Sequence, residues 1–177
     1  MTRLEKTDWL DYALGELAAK GHHALKAQTL AAGLKVTRGS FYWHFEDLEA
    51  FQRDLVAHWA ARTTEELLRA EVREGDAEAQ LNGLMARAFA STTALERAVR
   101  AWATVEPFVA ETVAAVDWRR IRFAEQLLAA LGVAEAEIAP RARMLYWAAI
   151  GRMMMAGPHP RTLSAGEIAA LARLMRS

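Results

Sequence analysis

The chain has 177 residues, 53% of them hydrophobic, with 22 basic against 22 acidic side chains, 4 prolines and no cysteine. That length suits one domain, or a small module on a larger body, and is enough to bury a core. The missing cysteine excludes a disulfide framework, a thiolate metal site and a thiol nucleophile. Zero net charge withholds any global electrostatic argument for a nucleic-acid partner. The N-terminus, Met1-Thr2-Arg3-Leu4-Glu5-Lys6, is too charged for a signal peptide, and no apolar run approaches the ~18 residues of a membrane span. A cytoplasmic protein without membrane contact is expected.

Composition favours helix, since alanine and leucine dominate and prolines are few. In chain order, Thr7 is placed to cap a first helix whose stripe is Trp9, Leu10, Ala13, Leu14 and Leu17. Gly21 ends it. A second helix is predicted over 26–34 with Leu30, Ala31 and Leu34 inward. Lys35-Val36 makes a tight turn, and Thr37 caps a third helix over 37–45. A long fourth helix is predicted over 47–71, capped by Asp47, with Glu46, Asp47 and Glu49 suiting its positive end. Arg73-Glu74-Gly75-Asp76 is a break before a fifth helix over 77–90. Ser91-Thr92-Thr93 precedes a sixth over 94–105. Pro107 suits the first turn of a seventh, which runs to 131 and ends at Gly132-Val133. An eighth is predicted over 139–155, opened by Pro140. A loop follows at Gly157-Pro158-His159-Pro160. Ser164 and Glu167 make a capping box for the last helix. The expected fold is all-α with about nine helices: a three-helix helix-turn-helix domain over 1–46 and a helical bundle over 47–177.

Charge is unevenly distributed. No Asp or Glu lies between Leu17 and Phe45, where Lys20, Lys26, Lys35 and Arg38 stand with His22, His23 and His44. What matters for a polyanion is local potential over one face, not the total. The third helix lies in this window. Phe41 and Phe45 fall one turn apart and bury together. Arg38, Gly39, Ser40, Tyr42, Trp43 and His44 are left on the other faces, a set suited to lying against DNA. Taken alone, Tyr42 and Trp43 fit a half-buried helix surface equally well. His22-His23 are adjacent rather than spaced for chelation, so a structural loop is preferred to a metal site. No metal or cofactor is expected.

Leu30-Ala31-Ala32, the run Val36-Thr37-Arg38-Gly39-Ser40-Phe41-Tyr42-Trp43-His44-Phe45 and the long helix that begins straight after it together resemble a TetR-family transcriptional regulator. The resemblance covers about residues 10–51. It implies that the third helix enters the major groove, with Tyr42 and His44 on phosphates and Thr37, Arg38, Gly39, Ser40 and Trp43 nearest bases and adjoining backbone. Lys26, Gln28 and Lys35 complete the expected DNA-binding set. Four positions depart from the family pattern. Lys26 stands where a Thr or Ser commonly caps helix two. Lys35 stands where Gly makes the turn, so either Lys35 is left-handed or the turn differs. Glu46 and Leu48 stand where basic residues often touch phosphates.

For the rest of the chain the resemblance is architectural and implies an effector-binding and dimerisation domain. Aromatic and methionine side chains distributed over it fit either plain bundle core or an apolar small-molecule cavity. The candidate ligand residues are Trp59, Arg62, Met85, Phe89, Trp102, Phe108, Trp118, Phe123 and Trp147. The candidate dimer residues, in the last two helices, are Met144, Ala148, Gly151, Arg152, Met155, Ile168, Leu171, Leu174 and Met175. The function read from all this is a homodimeric, ligand-responsive regulator, a repressor, that binds a palindromic double-stranded operator and is released by an apolar or aromatic effector. The alternative is an all-helical small-molecule-binding protein with weak or no DNA binding. An enzyme is disfavoured, because no nucleophile with a supporting base and no phosphate-binding glycine loop is present.

Overall fold

A computed structural model describes residues 4–72, 77–90, 94–155 and 162–176, with the side chains of 66–72 and 90 left out of the description. The described residues are all-α, with nine α-helices, one 3₁₀ turn and no strand. The expected breaks at 73–76 and 91–93 and the loop at 157–160 lie outside the described residues. No helix among those described is long and apolar enough to cross a membrane. The chain packs as two units, one of residues 1–63 with 94–115, the other of 64–93 with 116–177. This division differs from a boundary at 46/47, because the sixth helix packs along the first.

In the first unit, α1 (Lys6–Lys20) buries the predicted stripe Trp9, Leu10, Ala13, Leu14 and Leu17. Its cap is Glu5, not Thr7: the Glu5 N–H donates to the Asp8 carboxylate at 2.6 Å, which starts the helix earlier. Gly21 ends α1 at φ +78°, and a 3₁₀ turn (His22–Ala24) follows. The helix α2 (Ala27–Gly33) buries Leu30 and Ala31; Leu34 falls just beyond it and is half-buried. Lys26 occupies the cap position without a side-chain cap bond. The turn after α2 is a Schellman motif: Val36 N–H reaches Ala31 O at 3.0 Å and Lys35 N–H reaches Ala32 O at 3.1 Å. Lys35 is therefore left-handed, with φ 57°, at a cost of about 1–2 kcal/mol that glycine would not carry.

The third helix is shorter than expected. α3 spans Arg38–Tyr42, Trp43 and His44 form a turn, and Thr37 makes no side-chain cap bond. Phe45 still reaches the core, because the backbone N–H groups of His44 and Phe45 both close on Phe41 O at 3.0 and 3.1 Å. Asp47 caps α4 (Leu48–Val72) as predicted, accepting from the Ala50 N–H at 2.7 Å. Next to α1 lies α6 (Ala94–Ala103), which buries Val99 and Trp102. It ends two residues short of 105, where a turn leads through Glu106 into α7 (Pro107–Ala130).

The second unit is built from α5 (Ala77–Ala90), α8 (Glu135–Met154), α9 (Ala165–Arg176) and the later part of α7. Leu81, Met85, Phe89, Ala124, Leu128, Leu145, Ile168 and Met175 belong to one core cluster. A second Schellman turn, at Gly132 (φ +79°), ends α7 and seats Val133 beside Leu128. The start of α8 is a correction: it begins at Glu135, with Pro140 inside it. Proline costs the helix its bond to Ala136 O, but both residues are exposed, so that carbonyl can turn to water. The capping box of α9 is present, with Ser164 N–H to Glu167 at 2.8 Å and Glu167 N–H to Ser164 Oγ at 3.3 Å. At the other end of α9, Arg141 donates to Met175 O at 2.8 Å, satisfying a carbonyl the helix leaves open.

Candidate nucleic-acid interface

The face of α3 is supported from below by aromatic packing. Phe41 is fully buried, with its ring 5.5 Å from Trp9, 5.0 Å from Phe45 and 5.2 Å from Phe51. Phe45 and Phe51 close the cluster at 4.9 Å. These pairs, edge-to-face except for the tilted Phe41–Phe45, fix ring orientation as well as burying area. With Phe41 and Phe45 anchored, the intervening residues turn outward: Tyr42 is 46% exposed and Trp43 76%. His44 is half-buried, its ring 6.5 Å from Trp9. Ser40 is also half-buried, while Lys26, Gln28, Lys35, Thr37, Arg38 and Gly39 are exposed. A methyl group at Gly39 would meet only Thr37 Oγ1, at 3.7 Å. Nothing within the chain requires glycine there, and the site stays open to close approach from outside.

Arg38 donates through Nη2 to the Tyr42 hydroxyl at 2.9 Å, with its guanidinium carbon 5.4 Å from the ring centroid. Among the described residues neither Lys26, Lys35 nor Arg38 has a carboxylate partner. Lys20 does, pairing with Glu16 at 2.7 Å, and that bond holds the Glu16 carboxyl below its usual range. Residues 26–43 therefore include three cations without a carboxylate partner among the described residues, together with an exposed aromatic pair. The exposed Glu46 and Leu48 sit just past it in sequence.

Contacts distant in sequence hold this unit. Gly33 fits against Tyr12: a methyl group there would lie 1.9 Å from the phenol oxygen. Asp11 accepts from His58 Nε2 and from Arg62 Nη1, both at 2.8 Å, tying α1 to α4. The His58 hydrogen bond, then its charge and that of Arg62, hold the Asp11 carboxyl below its usual value against a push from burial. Burial, then the His23 charge, lowers the His22 pKa against an opposing effect of Glu106. No group of three or more potential metal ligands exists among the described residues. Sequence reasoning missed the Gly33–Tyr12 fit and the Asp11 clamp. Neither leaves a local signal, because the partners are 21 to 51 residues apart.

The candidate ligand residues divide between the units. Trp59 and Trp102 are buried in the first, where Phe108 packs on Trp102 at 5.9 Å and Arg62 is occupied by Asp11. Met85, Phe89 and Phe123 are buried in the second, whereas Trp118 and Trp147 are 56% and 65% exposed. In that unit the Tyr146 hydroxyl bonds to Asp117. The candidate dimer residues split too. Ile168 and Met175 are core of their own chain, and Leu171 packs partly against it. Arg152 donates to Ala88 O at 2.6 Å beside the Phe89 ring, and burial lowers its pKa. By contrast Met144, Ala148 and Gly151 are exposed on α8, joined at helical spacing by Trp147 and Met154, and Met155 is exposed at its C-cap; Leu174 is exposed on α9.

Residues 10–51 match the family model described as bacterial regulatory proteins of the tetR family. The match identifies residues 10–51 as a segment of the tetR-family type. The matched span of the chain runs from α1 to the start of α4 and contains the whole exposed face of α3. No curated protein matches it in sequence. Solved structures share its fold at low identity. A protein from Saccharomonospora viridis classed as a transcriptional regulator, in complex with choline, is 12% identical over 95% of this chain and 93% of its own, with a TM-score of 0.79. A TetR/AcrR-family regulator from Thermobifida fusca is 19% identical over 97% and 96%, with a TM-score of 0.66. AibR, in complex with isovaleryl coenzyme A and operator DNA, is 15% identical over 96% of each chain, also at 0.66.

Proposed function

We propose that this chain is a ligand-responsive transcriptional repressor: a homodimer that binds a palindromic operator through residues 37–45 and is released by a small molecule held in its helical C-terminal domain. The observation that carries the reading is the outward face of α3, where Arg38, Gly39, Tyr42 and Trp43 are exposed above a fully buried Phe41. A rigid helix presenting a forked cation, an open glycine and two aromatic rings suits groove edges and phosphates. Lys26, Gln28, Lys35, Thr37, Ser40 and His44 supply the rest of the interface.

The uncovered stripe of Met144, Trp147, Ala148, Gly151, Met154 and Met155 supports dimerisation, since exposed apolar surface of this kind marks an association site. Leu174 extends the argument to α9. A two-fold dimer would present its α3 helices about 34–36 Å apart, to successive major grooves. The effector acts by population shift, and a tenfold loss of DNA affinity requires it to prefer the non-binding state by about 1.4 kcal/mol. Solved relatives bound to choline and to isovaleryl coenzyme A support a small-molecule effector. The apolar side chains of the second unit, Met85, Phe89 and Phe123 among them, favour an apolar or aromatic one.

The test is selection of duplexes from a random pool by the purified chain, repeated with candidate effectors. A palindrome that is retarded at low salt, weakens steeply as salt rises and is released by an effector supports the proposal. The exposed Glu46 and Leu48 favour the other reading, a helical small-molecule binder with little DNA affinity. Failure to retard any duplex at low salt without effector would overturn the proposal and leave that reading standing.

A further inference from the structure

The Arg38–Tyr42 pair differs from four other one-turn pairs of a cation among the described residues. Lys20, Arg53, Arg100 and Arg141 each meet a glutamate four residues earlier, Glu16, Glu49, Glu96 and Glu137. A carboxylate positions a cation and neutralises it at once. Arg38 instead meets a neutral phenol four residues later, donating to its oxygen at 2.9 Å while lying 5.4 Å from the ring centroid. The guanidinium is held, yet it keeps its full charge and the rest of its five N–H donors. The phenol oxygen accepts from Arg38, so its own proton stays free to donate elsewhere. The ring packs edge-on against Phe41 at 5.3 Å, and Phe41 is fixed in the aromatic core. Core position is thereby passed to the arginine through two ring contacts.

We infer that Tyr42 is a positioning residue for sequence readout: it sets the Arg38 guanidinium in its reading conformation before DNA arrives, so that Arg38 forks onto a guanine edge. The inference rests on the DNA-binding reading above and adds to it a division of labour. An arginine free to rotate loses its side-chain freedom on binding, whereas one already held loses less. The advantage appears only where geometry matters, at a base edge, and not at non-specific phosphate contacts.

The experiment uses the duplex selected by the wild-type chain, the same duplex with the Arg38-read base pair substituted, and an unrelated duplex of equal length. Affinities are measured for wild type, Tyr42→Phe, Arg38→Ala and the double variant. Tyr42→Phe keeps ring and packing, and circular dichroism checks that it folds. Any lost phosphate bond lowers all three affinities by one shared factor. If Tyr42 positions Arg38, Tyr42→Phe also lowers the ratio of selected to substituted duplex roughly three- to tenfold, and this further loss vanishes in the Arg38→Ala background. An unchanged ratio, or an equal further loss with and without Arg38, overturns the inference and leaves the DNA-binding reading intact. Retention of no duplex by the wild type overturns both.

Discussion

Two exposed surfaces of this chain look alike by hydrophobicity and differ in chemistry. In and beside α3, Tyr42 and Trp43 are exposed with Lys35, Arg38 and Gly39, and among the described residues no carboxylate pairs with these cations. On α8 and at its C-cap, Met144, Trp147, Met154 and Met155 are exposed with the small Ala148 and Gly151. The first mixes charge, donors and rings, which suits a polyanion whose water must be replaced by specific bonds. The second offers flexible apolar side chains beside small residues, which suits close approach of another apolar helix. Exposure alone therefore does not name a partner; its neighbours do.

The foundations differ as well. The α3 face depends on one aromatic cluster, so Phe41→Ala should have the largest effect, costing about 3–5 kcal/mol of stability and abolishing specific DNA retention. Denaturant titration with a parallel gel shift measures both, and a stable variant that still reads its operator would break the link between cluster and face. The α8 face needs no such support, because its residues lie outside the core. Trp147→Glu should leave helicity unchanged and weaken the dimer by about 2 kcal/mol or more, on the order of thirtyfold, as read by sedimentation equilibrium. A monomeric wild type, or an unaffected dimer, would remove α8 from the interface.

Smaller effects sharpen the account of the first unit. Gly33→Ala forces the Tyr12 ring aside and should cost about 1–3 kcal/mol, with most of the loss absent in a Tyr12→Ala background. Asp11→Asn should cost no more than about 1 kcal/mol, since the clamp is largely exposed. Its sign with pH is definite. The folded Asp11 pKa lies below the ordinary 3.8, so the clamp contributes fully above that value and is lost as pH falls through the lower folded one. Thermal melts of wild type and variant should differ at pH 6 and converge as pH falls below 3.8 and through the lower folded value. A gap that persists in acid would mean that the carboxylate charge is not what stabilises the clamp.

Much of this was legible without coordinates because it is local. The stripe from Trp9 to Leu17, the Asp47 cap, the Ser164–Glu167 box and the inward turn of Phe41 and Phe45 all follow from spacing within one or two helical turns. Helix starts were less legible. Asp8 moved the first cap to Glu5, and α8 absorbed Pro140 because an exposed carbonyl tolerates a lost bond. The end of α3 at Tyr42, with Phe45 still buried, was settled by packing on Trp9 and Phe51.

By itself, then, the sequence determined the helical class, the order of elements and the chemistry of the α3 face, since periodicity, caps and residue type act at short range. Only the tertiary structure decided that Lys35 is left-handed, that Gly33 accommodates Tyr12, that Asp11 holds His58 and Arg62, and that Ile168 and Met175 face inward while Met144 and Trp147 do not. Each of these depends on which atoms meet across long separations, and short-range patterning carries no record of that.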